Sequence, residues 1–303
     1  MFKTIDEVKN AFYKENYITN KDIEYAILNA IRLELPLLVD GPAGVGKTEL
    51  AKVIAKIYQT EMIRVSCYEG IDFSKVLYDF NYSKQLLYIN LLKDNIKDLL
   101  NGKDFNESIS LLNQETNFYG NDFLIERPIL KAISPTLTNK KVLLIDEIDK
   151  SDMEFEAFLL EVLSDFSVTI PEYGTIECNE KYKPIVILTS NNVRELSEAL
   201  KRRCIYLYIN YPSIEVEAKI IELKVDVNHN FSLKVANTIN KIRNLQLKQK
   251  PSIFETILWT KTLLNNFGVN AFDIENKEQM IGTLGVLLKN KKDIDKLVLS
   301  KCL

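Results

Sequence analysis

The sequence predicts an α/β fold in which a parallel five-stranded sheet lies between two helical layers, an αβα sandwich, followed by a small all-helical domain. Short apolar runs alternate with amphipathic helical patterns between residues 30 and 212, an arrangement typical of a parallel sheet covered by helices. From Ser213 onward the apolar spacing is helical. Tyr211 and Pro212 separate the two regions. We therefore expect one domain over residues 1–212 and a helical domain over 213–303.

The five expected strands share an apolar run that ends in polar residues. They are Leu37 to Val39, Met62 to Ser66, Val142 to Ile145, Ile185 to Thr189 and Ile205 to Ile209. In such sheets a ligand lies beyond the carboxyl ends of the strands, so these polar groups are expected to meet at one site.

A glycine-rich segment joins the first strand to the following helix and completes the phosphate-binding pattern G-x-x-x-x-G-K-[ST]. The residues expected to bind nucleotide are Gly41, Pro42, Ala43, Gly44, Val45, Gly46, Lys47 and Thr48. Glycine lets the backbone turn its N–H groups inward, and the helix dipole adds positive potential there. Lys47 is expected to reach the β- and γ-phosphates, and Thr48 to hold Mg²⁺. The alternative is a plain glycine-rich turn, but the flanking strand and helix favour a P-loop NTPase fold.

The strand that follows Lys141 ends in Asp146 and Glu147, which gives it the form of a Walker B strand. Asp146 is expected to hold Mg²⁺ directly or through water, and Glu147 to polarise the water that attacks the γ-phosphate. The alternative is a buried strand that meets an acidic helix start. Ser151 and Glu154 have the spacing of a capping box and predict that the next helix begins there. Asp149 and Asp152 are assigned only to the helix entry.

Two further groups are candidates for catalysis. Asn191 follows the fourth strand and is expected to orient the attacking water, although an Asn turn is the competing interpretation. Arg202 and Arg203 precede the fifth strand and are candidates for an arginine finger that acts on a neighbouring subunit. A solvated basic helix end is the alternative for these two arginines.

The composition excludes several classes of protein. The net charge is −3 and the pI about 5.6, which disfavours a nucleic-acid partner. Four cysteines without a C-x-x-C pair and a single histidine leave no credible zinc site. No apolar run is long enough to span a membrane and no signal peptide is evident, so a cytoplasmic protein is expected.

Residues 290–293 spell the GTPase tetrapeptide N-K-x-D, but they lie outside the sheet, so ATP is the expected nucleotide.

With these elements placed, the chain resembles the MoxR-type branch of the AAA+ ATPases, similar to the CO-dehydrogenase accessory and CbbQ-like ATPases. The resemblance spans nearly the whole chain. It rests on GPAGVGKTELAK at 41–52, CYEGIDFSKVLYDFNY at 67–82, FLIERPILKAI at 123–133, VLLIDEIDKSDMEFEAFLLEVLSDFSVTIPEYGTI at 142–176 and LTSNNVRELSEALKRRCIYLYINYP at 188–212.

The resemblance implies a homo-oligomeric ring, commonly a hexamer, with each nucleotide at a subunit boundary. It assigns sensor 1 to Asn191 and the arginine finger to Arg202 or Arg203. It also implies a helical insert over 69–126 and a hairpin over 168–176, both facing a client or adaptor protein, which in this family often carries a von Willebrand factor A domain. The 213–303 region would be the helical lid.

One departure from the family concerns the lid. Many AAA+ lids carry a sensor 2 arginine, but residues 250–256 contain none. Lys250 is the nearest substitute, although it lacks the bidentate fork of arginine. Tyr17 and Ile18 are assigned to the adenine by position only.

The function expected from these observations is ATP-driven, chaperone-like remodelling of a partner protein, for metal-cofactor insertion or enzyme activation. A nucleotide-dependent scaffold or switch with little hydrolysis is the first alternative. A DNA-associated motor is the second alternative, and the net negative charge of the chain disfavours it.

Overall fold

The computed structural model describes residues 2–90, 118–171, 173–268, 271–272 and 277–300. The strands are β1 (Leu37–Asp40), β2 (Met62–Ser66), β3 (Tyr78–Phe80), β4 (Leu124–Glu126), β5 (Val142–Asp146), β6 (Ser167–Ile170), β7 (Gly174–Glu177), β8 (Ile185–Ser190) and β9 (Ile205–Tyr208). The helices are α1 (Ile5–Lys14), α2 (Lys21–Leu33), α3 (Lys47–Ile57), α4 (Pro128–Ile133), α5 (Met153–Asp165), α6 (Glu198–Arg202), α7 (Ile214–Val225), α8 (His229–Arg243), α9 (Ile253–Phe267), α10 (Lys277–Gly282), α11 (Leu284–Leu287) and α12 (Lys291–Ser300).

The central sheet has the order β2-β5-β8-β1-β9, and all its strands are parallel. Strands β1 and β5 are buried along their whole length, as expected for a parallel sheet covered on both faces. One core packs α1, α2 and α3 against the sheet, and a second core includes α4 and α5 on the opposite face. The prediction of an αβα sandwich with a five-stranded parallel sheet is confirmed.

All of the described elements that follow β9 are helices. They enclose a separate core around Trp259, which is fully buried. The predicted all-helical C-terminal region is confirmed. In the part of the chain that the structure describes, no helix is long and apolar enough to cross a membrane.

Several helix starts follow directly from local side chains. Thr4, Asn20 and Asp152 each accept a hydrogen bond from the backbone N–H three residues further along the chain, and so cap α1, α2 and α5. The capping box expected at Ser151 and Glu154 is wrong, because Asp152 is the cap and α5 begins at Met153. The Ser151 hydroxyl instead donates to the carbonyl oxygen of Ile148 in the preceding 3₁₀ turn.

The two expected insertions have different structures. In the 69–126 segment, residues 82–90 are helical, but β3 and β4 also form an antiparallel pair that the helical pattern did not predict. Residues 91–117 of this insert lie outside the described part. The hairpin expected over 168–176 consists of β6 and β7, which pair from Ser167 with Glu177 to Ile170 with Gly174.

Candidate nucleotide site

The phosphate loop connects β1 to α3 in a conformation that requires glycine. Gly44 and Gly46 have φ values of +74° and +100°, which L-residues with a side chain rarely adopt. A Cβ atom on Gly41 would lie 2.0 Å from the carbonyl oxygen of Ile209, so close packing against the end of β9 also excludes a side chain there. Helix α3 then begins at Lys47, and its N-terminus provides unpaired N–H groups for an anion.

Lys47 is buried at the base of this loop. Its Nζ donates to the carbonyl oxygens of Gly41 (2.5 Å) and Pro42 (2.8 Å) and to Oδ1 of Asn191 (2.8 Å). Burial lowers the pKa of Lys47, and the nearby carboxylates, of which Asp40 is the strongest, partly oppose this shift. The ammonium group therefore lies at the centre of a site rich in carboxylates, where it can serve as a point charge for phosphate.

Asp146 is held by three side chains at the end of β5. Thr48 Oγ1 lies 3.1 Å from Oδ1, Thr189 Oγ1 donates to Oδ1 at 2.6 Å, and Arg64 Nη2 forms an ion pair with Oδ2 at 2.5 Å. Sequence reasoning identified Asp146 and Thr48 but missed Arg64 and Thr189. Carboxylate and hydroxyl oxygens are ligands that suit Mg²⁺.

The described residues contain no group of three or more His, Cys, Asp or Glu side chains that could hold a metal ion. The oxygens of Thr48 and Asp146 fit magnesium, but only if phosphate oxygens and water complete its coordination.

Glu147 and Asn191 lie beside Lys47. Asn191 Nδ2 donates to Oε1 of Glu147 at 3.1 Å, while Lys150 Nζ donates to Oε2 at 2.6 Å. The backbone at Glu147 is left-handed, with φ +58°, and its N–H donates to Thr189 Oγ1 at 2.9 Å. These contacts place the carboxylate at the carboxyl edge of the sheet, next to the phosphate loop.

Asp149 has a structural role that sequence reasoning missed. It is 2 % exposed, and its Oδ2 accepts hydrogen bonds from the backbone N–H groups of Asn191 (3.0 Å) and Val193 (2.9 Å). Asp149 therefore fixes the backbone that carries the Asn191 amide. Its position two residues after Glu147 was the only available signal, and it was attributed to the helix entry.

A cavity of about 960 Å³ opens beside the phosphate loop, a size typical of ligand sites. The loop, the segment before α2, the linker after β9 and the lid helices α7 and α9 form its walls. Tyr17 and Ile18 line it, as do Val216, Ile220 and Ile257 from the lid. The cavity therefore combines a polar floor with a largely apolar wall, which suits a phosphate chain joined to an aromatic base.

The lid touches the phosphate loop directly. The N–H of Ile253 donates to the carbonyl oxygen of Gly44 at 3.2 Å. Lys250 is exposed and does not line the cavity, whereas Lys224 from α7 does. Lys250 is thus not in the position of a phosphate sensor, and sequence reasoning missed Lys224.

The two candidate finger arginines lie outside the cavity wall, and their side chains differ in what they contact. Arg203 Nη1 donates to the carbonyl oxygen of Leu160 at 2.6 Å and contacts the Ser164 hydroxyl. Arg202, at the end of α6, is exposed, and its side chain forms no hydrogen bond or ion pair within the described ranges. Arg203 therefore binds the carboxyl end of α5, while Arg202 is available to another molecule.

Residues 37–211 match the ATPase family associated with various cellular activities (AAA). Similar solved structures include the RuvB Holliday junction branch migration motor of Thermotoga maritima, 18 % identical with a TM-score of 0.47, where the match covers 94 % of this chain and 72 % of that chain. A candidate ATPase from Cytophaga hutchinsonii is 15 % identical with a TM-score of 0.47, over 97 % and 84 % of the two chains. A search of curated protein sequences gave no significant match.

Proposed function

This chain belongs to the AAA family of ATPases, and from that premise we propose that it is a MoxR-type member that uses ATP hydrolysis to remodel a partner protein. The observation that best supports the hydrolysis step is the contact series Lys47–Asn191–Glu147. One amide accepts from the phosphate-binding lysine at 2.8 Å and donates to the catalytic carboxylate at 3.1 Å. Such a series links phosphate recognition to water activation within one site.

Each residue then has a defined role. Lys47 and the loop N–H groups bind the phosphates, and Asn191 orients the attacking water for Glu147, its general base. Thr48 and Asp146 would hold Mg²⁺, which supplies positive charge to the phosphate oxygens when bound. We expect the phosphates to take up the Lys47 ammonium that now binds the loop carbonyls. The lid excludes water from the adenine side of the cavity.

The site is proposed to be completed by a second subunit in a ring, commonly a hexamer. Arg202 is the better candidate for the arginine finger, because the Arg203 side chain already binds Leu160 and Ser164 of α5. An arginine that stabilises the transferring phosphoryl group contributes about 10³- to 10⁵-fold in rate. Activity should therefore rise with protein concentration as rings form.

The client is proposed to be a protein, with a von Willebrand factor A-domain adaptor as the first candidate. The β6–β7 hairpin and the 69–126 insert are the expected contact regions. Of the two alternatives, a scaffold with little hydrolysis predicts turnover that does not depend on Glu147. A DNA-associated motor predicts stimulation by DNA.

The decisive experiment uses Glu147→Gln, with Glu154→Gln as the matched control, since Glu154 is exposed on α5. We expect Glu147→Gln to bind ATP normally and to lose hydrolysis by about 10²- to 10⁴-fold, while Glu154→Gln stays within about twofold. Phosphate release and binding of a fluorescent ATP analogue measure the two properties. Undiminished turnover by Glu147→Gln would reject the assignment.

A mixing experiment tests the shared site. Arg202→Ala and Glu147→Gln are each expected to be inactive alone, but mixed rings should recover activity where an intact Glu147 site meets a neighbour's Arg202. Arg203→Ala mixed in the same way is the control. If native mass spectrometry with one variant isotope-labelled shows mixed rings and no activity returns, Arg202 does not act between subunits.

The client can be identified by a pull-down in which the Glu147→Gln protein, with ATP bound, captures its partner. Recovery of a protein with a von Willebrand factor A domain supports the remodelling proposal. Recovery of DNA alone overturns it in favour of the DNA-associated motor.

A further inference from the structure

Arg64 forms an ion pair with the carboxylate proposed to hold magnesium. Its Nη2 lies 2.5 Å from Oδ2 of Asp146. The two partners differ in exposure, because the Arg64 side chain is 50 % exposed and that of Asp146 only 4 %. The carboxylate is therefore fixed in the site, whereas the guanidinium group can leave it at low cost.

The strand geometry explains why Arg64 reaches this carboxylate. β2 and β5 are parallel neighbours, and Ser66 lies opposite Asp146 in their register. Ile63 and Val65 pack into the core on one face of the sheet. Alternation along the strand therefore turns Arg64 to the other face, which α3 covers, and its long side chain extends toward the carboxyl edge.

The remaining contacts of Asp146 leave little capacity for another cation. Thr48 lies against both carboxylate oxygens, at 3.1 and 3.4 Å, and Thr189 donates to Oδ1. The guanidinium group occupies Oδ2 and carries the opposite charge. A divalent cation that binds here has to compete with that charge.

We propose that Arg64 is a displaceable counter-ion of Asp146 that makes metal binding depend on nucleotide. Without nucleotide it neutralises the carboxylate, so that free divalent cations bind weakly. When a nucleotide brings its phosphates, the guanidinium group leaves Asp146 and the metal ligand becomes available. This inference rests on the proposed function for the identity of the metal ligand, but its test measures no hydrolysis.

The test titrates nucleotide-free protein with Mn²⁺ and follows free Mn²⁺ by electron paramagnetic resonance. We expect Arg64→Gln to bind Mn²⁺ about fivefold more tightly than the wild type, the scale of a half-exposed ion pair. Arg64→Lys keeps the charge and should stay within about twofold of the wild type. Lys150→Gln is the matched control, since it removes an equal charge that forms an ion pair with the neighbouring Glu147 (2.6 Å) and interacts only weakly with Asp146. It should change Mn²⁺ affinity by less than twofold.

Two further measurements assign the site and the dependence on nucleotide. Adding Asp146→Asn to Arg64→Gln should abolish the gain in affinity. With ADP bound, the difference between Arg64→Gln and wild type should shrink below about twofold. The proposal is overturned if Arg64→Gln leaves Mn²⁺ affinity unchanged or lowers it. It is equally overturned if the gain survives Asp146→Asn, or if Lys150→Gln produces the same gain.

Discussion

The contact between the phosphate loop and the lid can be tested at Gly44. A Cβ atom at this position would lie 2.2 Å from Cβ and 2.9 Å from Oγ of Ser252. Contact between carbon atoms is favourable only near 3.5–4.0 Å, so Gly44→Ala requires Ser252 to move by about 1.5 Å. That displacement would also break the hydrogen bond from the Ile253 N–H to the Gly44 carbonyl oxygen.

Gly70 provides a control with nearly the same backbone φ. Its φ is +73°, compared with +74° for Gly44, but a Cβ atom there would meet nothing within 4 Å. Both alanine variants pay about 1–2 kcal/mol for a left-handed conformation, and only Gly44→Ala adds the collision with the lid. A misplacement of about 1 Å can cost on the order of 10²-fold in function. We therefore expect nucleotide affinity to fall at least about tenfold in Gly44→Ala and less than twofold in Gly70→Ala.

The assay is fluorescence anisotropy of labelled ADP, with thermal unfolding of each variant as the folding control. The double variant Gly44→Ala/Ser252→Gly removes the colliding Cβ atom and should recover most of the affinity, because glycine at an N-cap costs only a few tenths of a kcal/mol. Equal affinities for the two alanine variants, or no recovery in the double variant, would refute the steric reasoning.

Three further predictions concern buried charged groups and thiols. Arg243→Met should destabilise the lid by about 3–5 kcal/mol, because it leaves the Glu217 carboxylate, 1 % exposed, without its charged partner. Urea denaturation followed by the fluorescence of the single tryptophan measures this loss of stability. Adding Glu217→Leu should recover part of it. Asp149→Asn should lower kcat more than nucleotide affinity, because Asp149 orders the backbone that carries Asn191. Steady-state kinetics and ADP binding measure the two properties, and equal losses in both would contradict the prediction. Burial raises the pKa values of Cys67 and Cys204 to about 12. Both thiols should therefore be protonated at pH 8 and resist iodoacetamide until the protein is unfolded. Peptide mass spectrometry measures the labelling, and rapid labelling of the folded protein would contradict this prediction.

The sheet and the phosphate loop could be predicted because their signals are local. The five strands are apolar runs that end in polar residues, and the loop is a continuous segment from Gly41 to Thr48. Their meeting at one edge follows from parallel topology alone. The β3–β4 pair was missed because each strand has only three residues, too few for a period to be recognised.

The contacts around Asp146 could not be predicted from the sequence. Arg64 reaches it only because β2 and β5 pair in the observed register, and Thr189 only because β8 lies on the other side of β5. Such partners are set by non-local pairing between strands. The misplaced cap before α5 has a different cause. Ser151 and Asp152 are both good N-cap residues, but the Ser151 hydroxyl binds the Ile148 carbonyl oxygen and Asp152 is the cap.

Residues 250–256 contain no arginine, but Arg243, a buried arginine elsewhere in the lid, contacts several of its parts. Arg243 binds Glu217 on α7 at 2.6 and 2.8 Å, donates to the carbonyl oxygen of Pro251 at 2.9 Å, and lies 4.4 Å from the ring centre of Tyr211 in the linker. Pro251 precedes the residues that meet Gly44. We therefore expect a displacement at Gly44 to reach both the linker and α7 through the contacts of this guanidinium group. For this reason the Gly44→Ala variant should shift the lid as a unit, and α7, which forms part of the cavity wall, should move with it.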